Sequence, residues 1–219
     1  MKIAELASLM NEYLLPKFPG YVLHRTILIK APIKYIIQGI ELDTSVWDSN
    51  TIKTSSHVIA TYVPIDYYGS NIFNVADRIE FHRDNIAEQM ESIAQILKKK
   101  LEPWLMQWNT PMDIAEKALP PGAIDVQLQR DVAYSLVLLR EREKALRALD
   151  GIKQLIEKHY RGPVFETHDW PQQLLDESLL LKNRVLDNIE SAISLLHEWR
   201  QFTLNKLKLQ QYASDDLNS

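Results

Sequence analysis

Cysteine is absent from all 219 residues, which removes disulfides, thiol nucleophiles and cysteine-ligated zinc or iron–sulfur centres. Glycine occurs only six times, and no stretch carries the GxGxxG or GxxxxGK[ST] pattern that cradles a phosphate; HExxH and GxSxG are missing as well. Long apolar runs are also lacking. No window approaches the roughly 18 to 20 apolar residues of a membrane-spanning helix. Near the start, Glu5 and Glu12 interrupt what would be the apolar core of a secretion signal. The expectation is a soluble, cytoplasmic protein without a membrane partner. Nor is there a surplus of positive charge: 25 basic and 29 acidic residues leave a net charge of −4, whereas nucleic acid needs a clustered basic excess. Residues 1–83 carry eight charges of each sign, and residues 84–219 carry 17 basic and 21 acidic ones. A charged partner would therefore be basic and would meet the second half.

What is present divides by periodicity. Residues 2–15 place Ile3, Leu6, Ala7, Met10 and Leu14 on one helical stripe that Pro16 and Pro19-Gly20 end. Stretches 21–30 and 33–42 are rich in β-branched and aromatic residues and are separated by Ala31-Pro32, as two antiparallel strands would be. A third strand is expected over 56–65, after a polar turn at 43–50, with Pro64 ending it. Residues 72–81 are either a fourth strand or an irregular edge. From Asp84 the period changes, and Ile86, Met90, Ile93, Leu97, Leu101, Trp104 and Trp108 form one helical face.

Pro103 kinks or ends that helix, and Thr110-Pro111-Met112-Asp113 has the composition of a new helix start. After a break at Pro120-Pro121-Gly122, a helical hairpin spans 126–139 and the residues beyond Arg140–Glu143. Gly151 inside its second arm marks close packing. A loop at 160–168 precedes a last helix that Asp169 opens and that either breaks or projects before about residue 211. The expected fold class is α+β: a small antiparallel sheet of 3–4 strands packed on helices, followed by an all-helical half. The expected domains are an α+β domain at 1–109, a helical extension packed against it at 110–211, and a disordered tail at 212–219.

The hairpin, with small Ala133 and Ala145 twelve apart and bulky Leu136 and Leu149, resembles a single tetratricopeptide-type unit. The wider order runs from a short helix through strands ending in a VPI segment to a long helix closing on LEPWL, then a T-P-x-D helix and a hairpin with EKALRAL. This order resembles uncharacterised bacterial α+β families with helical C-terminal extensions, some of them described as immunity proteins of toxin systems. The resemblance covers the chain to about residue 158. It implies a protein partner and assigns no catalytic residue.

Candidate functional residues are few. The six histidines are scattered, so no metal site, cofactor or catalytic constellation is expected. His57 shares a strand face with Ser55 and Thr61, and with His24 it can line a groove across the sheet; an enzyme or small-ligand binder with its site on the sheet near His24, His57 and Tyr62 is the alternative to a pure interaction role. Tyr62, Tyr67, Tyr68 and Phe73, beside Gly69 and Asn71, form an aromatic-rich stretch of the kind found in binding loops. These four are the expected partner-binding residues, with the acidic helical half as a second surface. His82-Arg83-Asp84, His168-Asp169 and Lys98-Lys99-Lys100 all stand at expected helix ends, where capping and the helix dipole account for them. A homodimer through the last helix would place Leu196 and Trp199 in its seam. The functional expectation is a non-enzymatic protein-interaction module of immunity or adaptor type.

Overall fold

The computed structural model describes residues 1–44, 50–65, 72–119, 124–160 and 169–217. Residues 45–49 of the expected polar turn, the break at 120–122 and most of the 160–168 loop, including His168, lie outside them. The chain is α+β and divides into two compact units built from interleaved stretches. Met1–Ile59, Gly69–Asn109 and Leu209–Ser219 make a sheet unit; Ala60–Tyr68 and Thr110–Lys208 make a helical unit.

The sheet is larger than the sequence suggests. Among the described residues five strands follow one another in spatial order: β1 (Tyr21–His24), β2 (Ile27–Lys30), β3 (Ile36–Thr44), β4 (Thr51–Ala60) and β5 (Ile72–Glu80). The extra strand comes from 21–30, which folds back on itself at Arg25-Thr26. Arg25 takes a left-handed φ of 58°, and His24 then pairs with Ile27 across a two-residue turn. With neither glycine nor proline there, the turn had no signal in composition. β4 lies earlier than expected, ending at Ala60, where a turn joins Val63 N–H to the Ala60 carbonyl ahead of Pro64. β5 is a true strand with a bulge: Thr54 opposes Asp77 and Ser55 opposes Val75, so Ala76 is the extra residue. The tail is ordered further than expected. Leu209 is buried, Ile33 and Ala213 form a parallel bridge, and Ile33 exchanges backbone hydrogen bonds of 2.8 Å with Tyr212 and Ser214.

Two helices complete this unit. α1 (Ile3–Leu9) continues through a π turn at Met10–Leu14 into a 3₁₀ turn containing Pro16. α2 (Ile86–Ile96) continues through a π turn at Leu97–Leu101 into α3 (Glu102–Leu105) with Pro103. In each case the wide turn ends two residues before a proline, which cannot donate to the α ladder and collides with the carbonyl four residues back, inside that turn. The second π turn also changes the buried stripe. Met90, Ile93, Leu97 and Leu101 are buried as the spacing predicts, but Leu105 then takes the position expected for Trp104, which is only half-buried. The Gln38 side chain of β3 donates to the carbonyls of Leu105 (2.8 Å) and Trp108 (2.6 Å), tying the end of α3 to the sheet.

The helical unit contains α4 (Pro111–Lys117), α5 (Val126–Leu138), α6 (Arg142–His159), α7 (Trp170–Asp187) and α8 (Ile189–Leu207). Thr110 and Asp113 cap α4 reciprocally, and the Asp125 carboxylate caps α5 through the amides of Gln127 and Leu128. Asp169 precedes α7, but its side chain makes no cap hydrogen bond. The long last helix is in fact two, broken at extended Asn188, whose side chain accepts from the Glu190 amide at 2.9 Å. The turn between α5 and α6 holds that break: Arg140 pairs with Glu190, and Arg142 donates to the terminal carbonyls of α7 at Val185 and Leu186. Gly151 packs where a Cβ would meet the Gln129 amide at 3.2 Å.

Candidate functional site

Cross-strand register places the sequence candidates on the sheet. His24 opposes Ile27, Ile27 opposes Glu41, and His57 opposes Phe73. The Glu41 carboxylate lies 2.8 Å from His57 Nε2. Residues opposite one another share a face, so His24, Ile27, Glu41, His57 and Phe73 form one row across five strands. His24 and His57 are three strands apart in that row, about 14 Å at the usual strand spacing. They share a face but cannot grip one small ligand, because Ile27 and Glu41 stand between them. Tyr62 is not in the row. It follows β4, belongs to the helical unit and is 0% exposed.

The centre of the row is a polar cluster. Ser55 Oγ lies 3.0 Å from His57 Nε2, the same nitrogen that faces Glu41. A carboxylate only accepts, so the hydrogen between Glu41 and His57 is carried on Nε2. The hydrogen bond from His57 is the chief cause that holds the Glu41 carboxyl below its ordinary range, with burial opposing and Lys53 and Ser55 assisting. This wiring is unlike that of a nucleophilic triad, in which acid and hydroxyl occupy opposite ring nitrogens. Here Nε2 already bears a proton, and Ser55 hydrogen-bonds the carboxylate. The cluster is a charge-assisted cross-strand bond that joins β3 to β4, with side chains of His57 and Glu41 25% and 34% exposed.

Beside it on the same face, Phe73 and Val75 of β5 are 56% and 44% exposed, opposite His57 and Ser55. Gly39 also lies on this face; a Cβ there would come within 2.9 Å of Ile27, which explains the lack of a side chain. Of the expected aromatic contacts, Phe73 is therefore exposed and Tyr62 is not, while Tyr67 and Tyr68 lie outside the described residues. Tyr62 instead donates to Ser135 Oγ at 2.5 Å, since the Ser135 hydroxyl is itself given to the Asp131 carbonyl. Two lysines of the basic run have partners within the sheet unit: Lys98 lies over the Phe18 ring and Lys100 pairs with Asp77. The expected dimer seam is already filled, because Leu196 is 0% exposed and the Trp199 ring packs on Tyr134.

The helical unit also buries ionisable groups that the sequence reading passed over. Arg130 Nε and Nη2 both donate to Asp131 Oδ1, at 3.1 and 2.9 Å. Burial pushes the Asp131 carboxyl above its usual range against the pull of Arg130. Burial likewise raises Glu177 and the Tyr134 hydroxyl. Adjacent residues do not face each other across a helix, so an Arg–Asp pair at consecutive positions gives no periodic signal. Among the described residues no group of three or more His, Asp or Glu is gathered to hold a metal, and no helix is long and apolar enough to cross a membrane.

The fold and these clusters define an α+β chain with an interleaved helical unit. Comparison with protein-family models, with curated proteins and with solved structures finds no match.

Proposed function

We infer that this chain is a non-enzymatic protein-interaction module, of immunity or adaptor type, whose contact surface is the sheet face at β5. The observation that carries this reading is the pair Phe73 and Val75, two large apolar side chains exposed side by side on an edge strand. Edge strands normally carry charge or proline to discourage pairing; Ile72 to Val75 carries neither. The flanking polar groups suit a rim: His57, Ser55 and Glu41 satisfy one another and keep hydrogen-bonding capacity at the margin of an apolar patch. The same mutual satisfaction speaks against a Ser55 nucleophile, so the row supports recognition better than chemistry.

The test is affinity capture from native lysate with wild type and with a Phe73→Lys, Val75→Lys double variant of matched thermal midpoint. A protein retained by the wild type and lost by the variant is the expected result. Equal recovery on both baits removes this face from the interaction.

A further inference from the structure

At the end of α3 the Lys30 ammonium of β2 donates to Met106 Sδ at 3.0 Å. A thioether sulfur is a weak acceptor, whereas an ammonium has three N–H groups to place. Among the described residues Lys30 has no carboxylate partner and no other hydrogen bond. We propose that Met106 is a site of reversible oxidation, at which the new sulfoxide oxygen accepts from the Lys30 ammonium and tightens the joint between β2 and the end of α3.

The position in the sheet favours such a joint. Lys30 lies one step beyond the Ile29–Gly39 pair of β2 and β3, opposite Gln38, so the two side chains share a face. Gln38 donates to the carbonyls of Leu105 and Trp108, which bracket Met106 in the chain. β3 therefore holds the end of α3 through good acceptors, while the charged donor of β2 ends on sulfur. Exposure selects the same residue. Met10 and Met90 are 0% exposed, whereas Met106 and Met112 are 48% and 44% exposed. Met112 is the natural control, because among the described residues no donor meets its sulfur.

Oxidation begins with attack of the Met106 sulfur lone pair on one oxygen of hydrogen peroxide. The S–O bond forms as the O–O bond breaks, and sulfur gives up two electrons. The departing hydroxide takes the proton of the transferred OH and leaves as water. A buried methionine loses packing when it becomes a polar sulfoxide. Met106 is half in water already, and a cation waits beside it, so the product gains a charge-assisted hydrogen bond instead. Both side chains are unbranched and flexible, which lets either sulfoxide epimer turn its oxygen to the ammonium.

The sign of the effect is the test. Wild type, Lys30→Arg, Lys30→Leu and Met106→Leu are treated with limiting hydrogen peroxide, oxidised methionines are assigned by peptide mass spectrometry, and each protein is compared with its own untreated sample. Amide exchange over residues 102–109 is expected to slow about fivefold in oxidised wild type, the order of one charged hydrogen bond. Lys30→Arg should respond alike, and methionine sulfoxide reductase should restore the starting rate. Lys30→Leu and Met106→Leu should show no slowing, although Met112 is oxidised in both. Three results overturn the proposal: exchange unchanged or faster in wild type carrying Met106 sulfoxide, equal slowing in Lys30→Leu, or a Met106 that stays reduced while Met112 is oxidised.

Discussion

Glu41 illustrates how one residue joins local pattern to distant register. Alternation along β4 was enough to set Ser55 and His57 on one face, but nothing in the neighbourhood of Glu41 indicates that β3 will bring it to His57. The bond has a pH consequence with a definite sign. Because the folded Glu41 carboxyl is held below its ordinary value, its contribution to stability is present above the unfolded carboxylate range and is lost as pH falls through the lowered folded value. Thermal midpoints measured over an acid pH series should therefore decline less steeply for Glu41→Gln than for wild type, with the two curves separating most near neutrality. Parallel curves would show that the carboxylate gains nothing from His57. Tyr62 makes the opposite point. Its place in an aromatic, turn-like stretch suggested exposure, yet its hydroxyl lies against Ser135, 73 positions later in the chain.

At the level of elements, helices were easier to read than strands. The stripe from Met90 to Leu101, the Thr110 cap and the two arms of the α5–α6 hairpin follow from spacing and capping chemistry alone. The departures from expectation cluster where the backbone leaves regular geometry: the left-handed turn at Arg25 and the π turn before Pro103. A wide turn advances the phase of all later residues, which is why a strict period of 3.6 selected Trp104 and the fold buries Leu105. Leu105→Ala should therefore cost about 2 to 5 kcal/mol, as truncations at filled core positions do, and Trp104→Ala distinctly less. Urea unfolding of the two variants measures the order; a larger loss at Trp104 would mean that the regular helix describes this segment better than the π turn does.

For the whole molecule, the change of period along the sequence predicts a boundary at residue 109, a single cut between a sheet part and a helical part. The compact units are interleaved instead, because residues 60–68 belong with the helices and 209–219 with the sheet. Period changes along a chain mark where one kind of element gives way to another; they carry no information about a short segment that leaves its neighbours. The prediction at this scale concerns fragments. A chain of residues 110–219 lacks Tyr62, Val63 and Ile65, which bond to Ser135 and Thr203, and a chain of residues 1–109 lacks the strand partner of Ile33. Circular dichroism and amide exchange should find both fragments less structured than the same residues in the full chain, and addition of residues 58–66 as a peptide should raise the protection of the helical fragment. The Thr203 hydroxyl also carries a consequence for biosynthesis. It donates to the Val63 carbonyl and accepts from the Ile65 amide, 140 positions from Val63. At about 5 to 20 residues per second, a ribosome finishes Thr203 roughly 7 to 28 s after Val63, and the residues that pair with Ile33 come later still. Neither unit can close before the segments around Thr203 and Tyr212–Ser214 have been made, so Val63, Ile65 and Ile33 lack these partners until then.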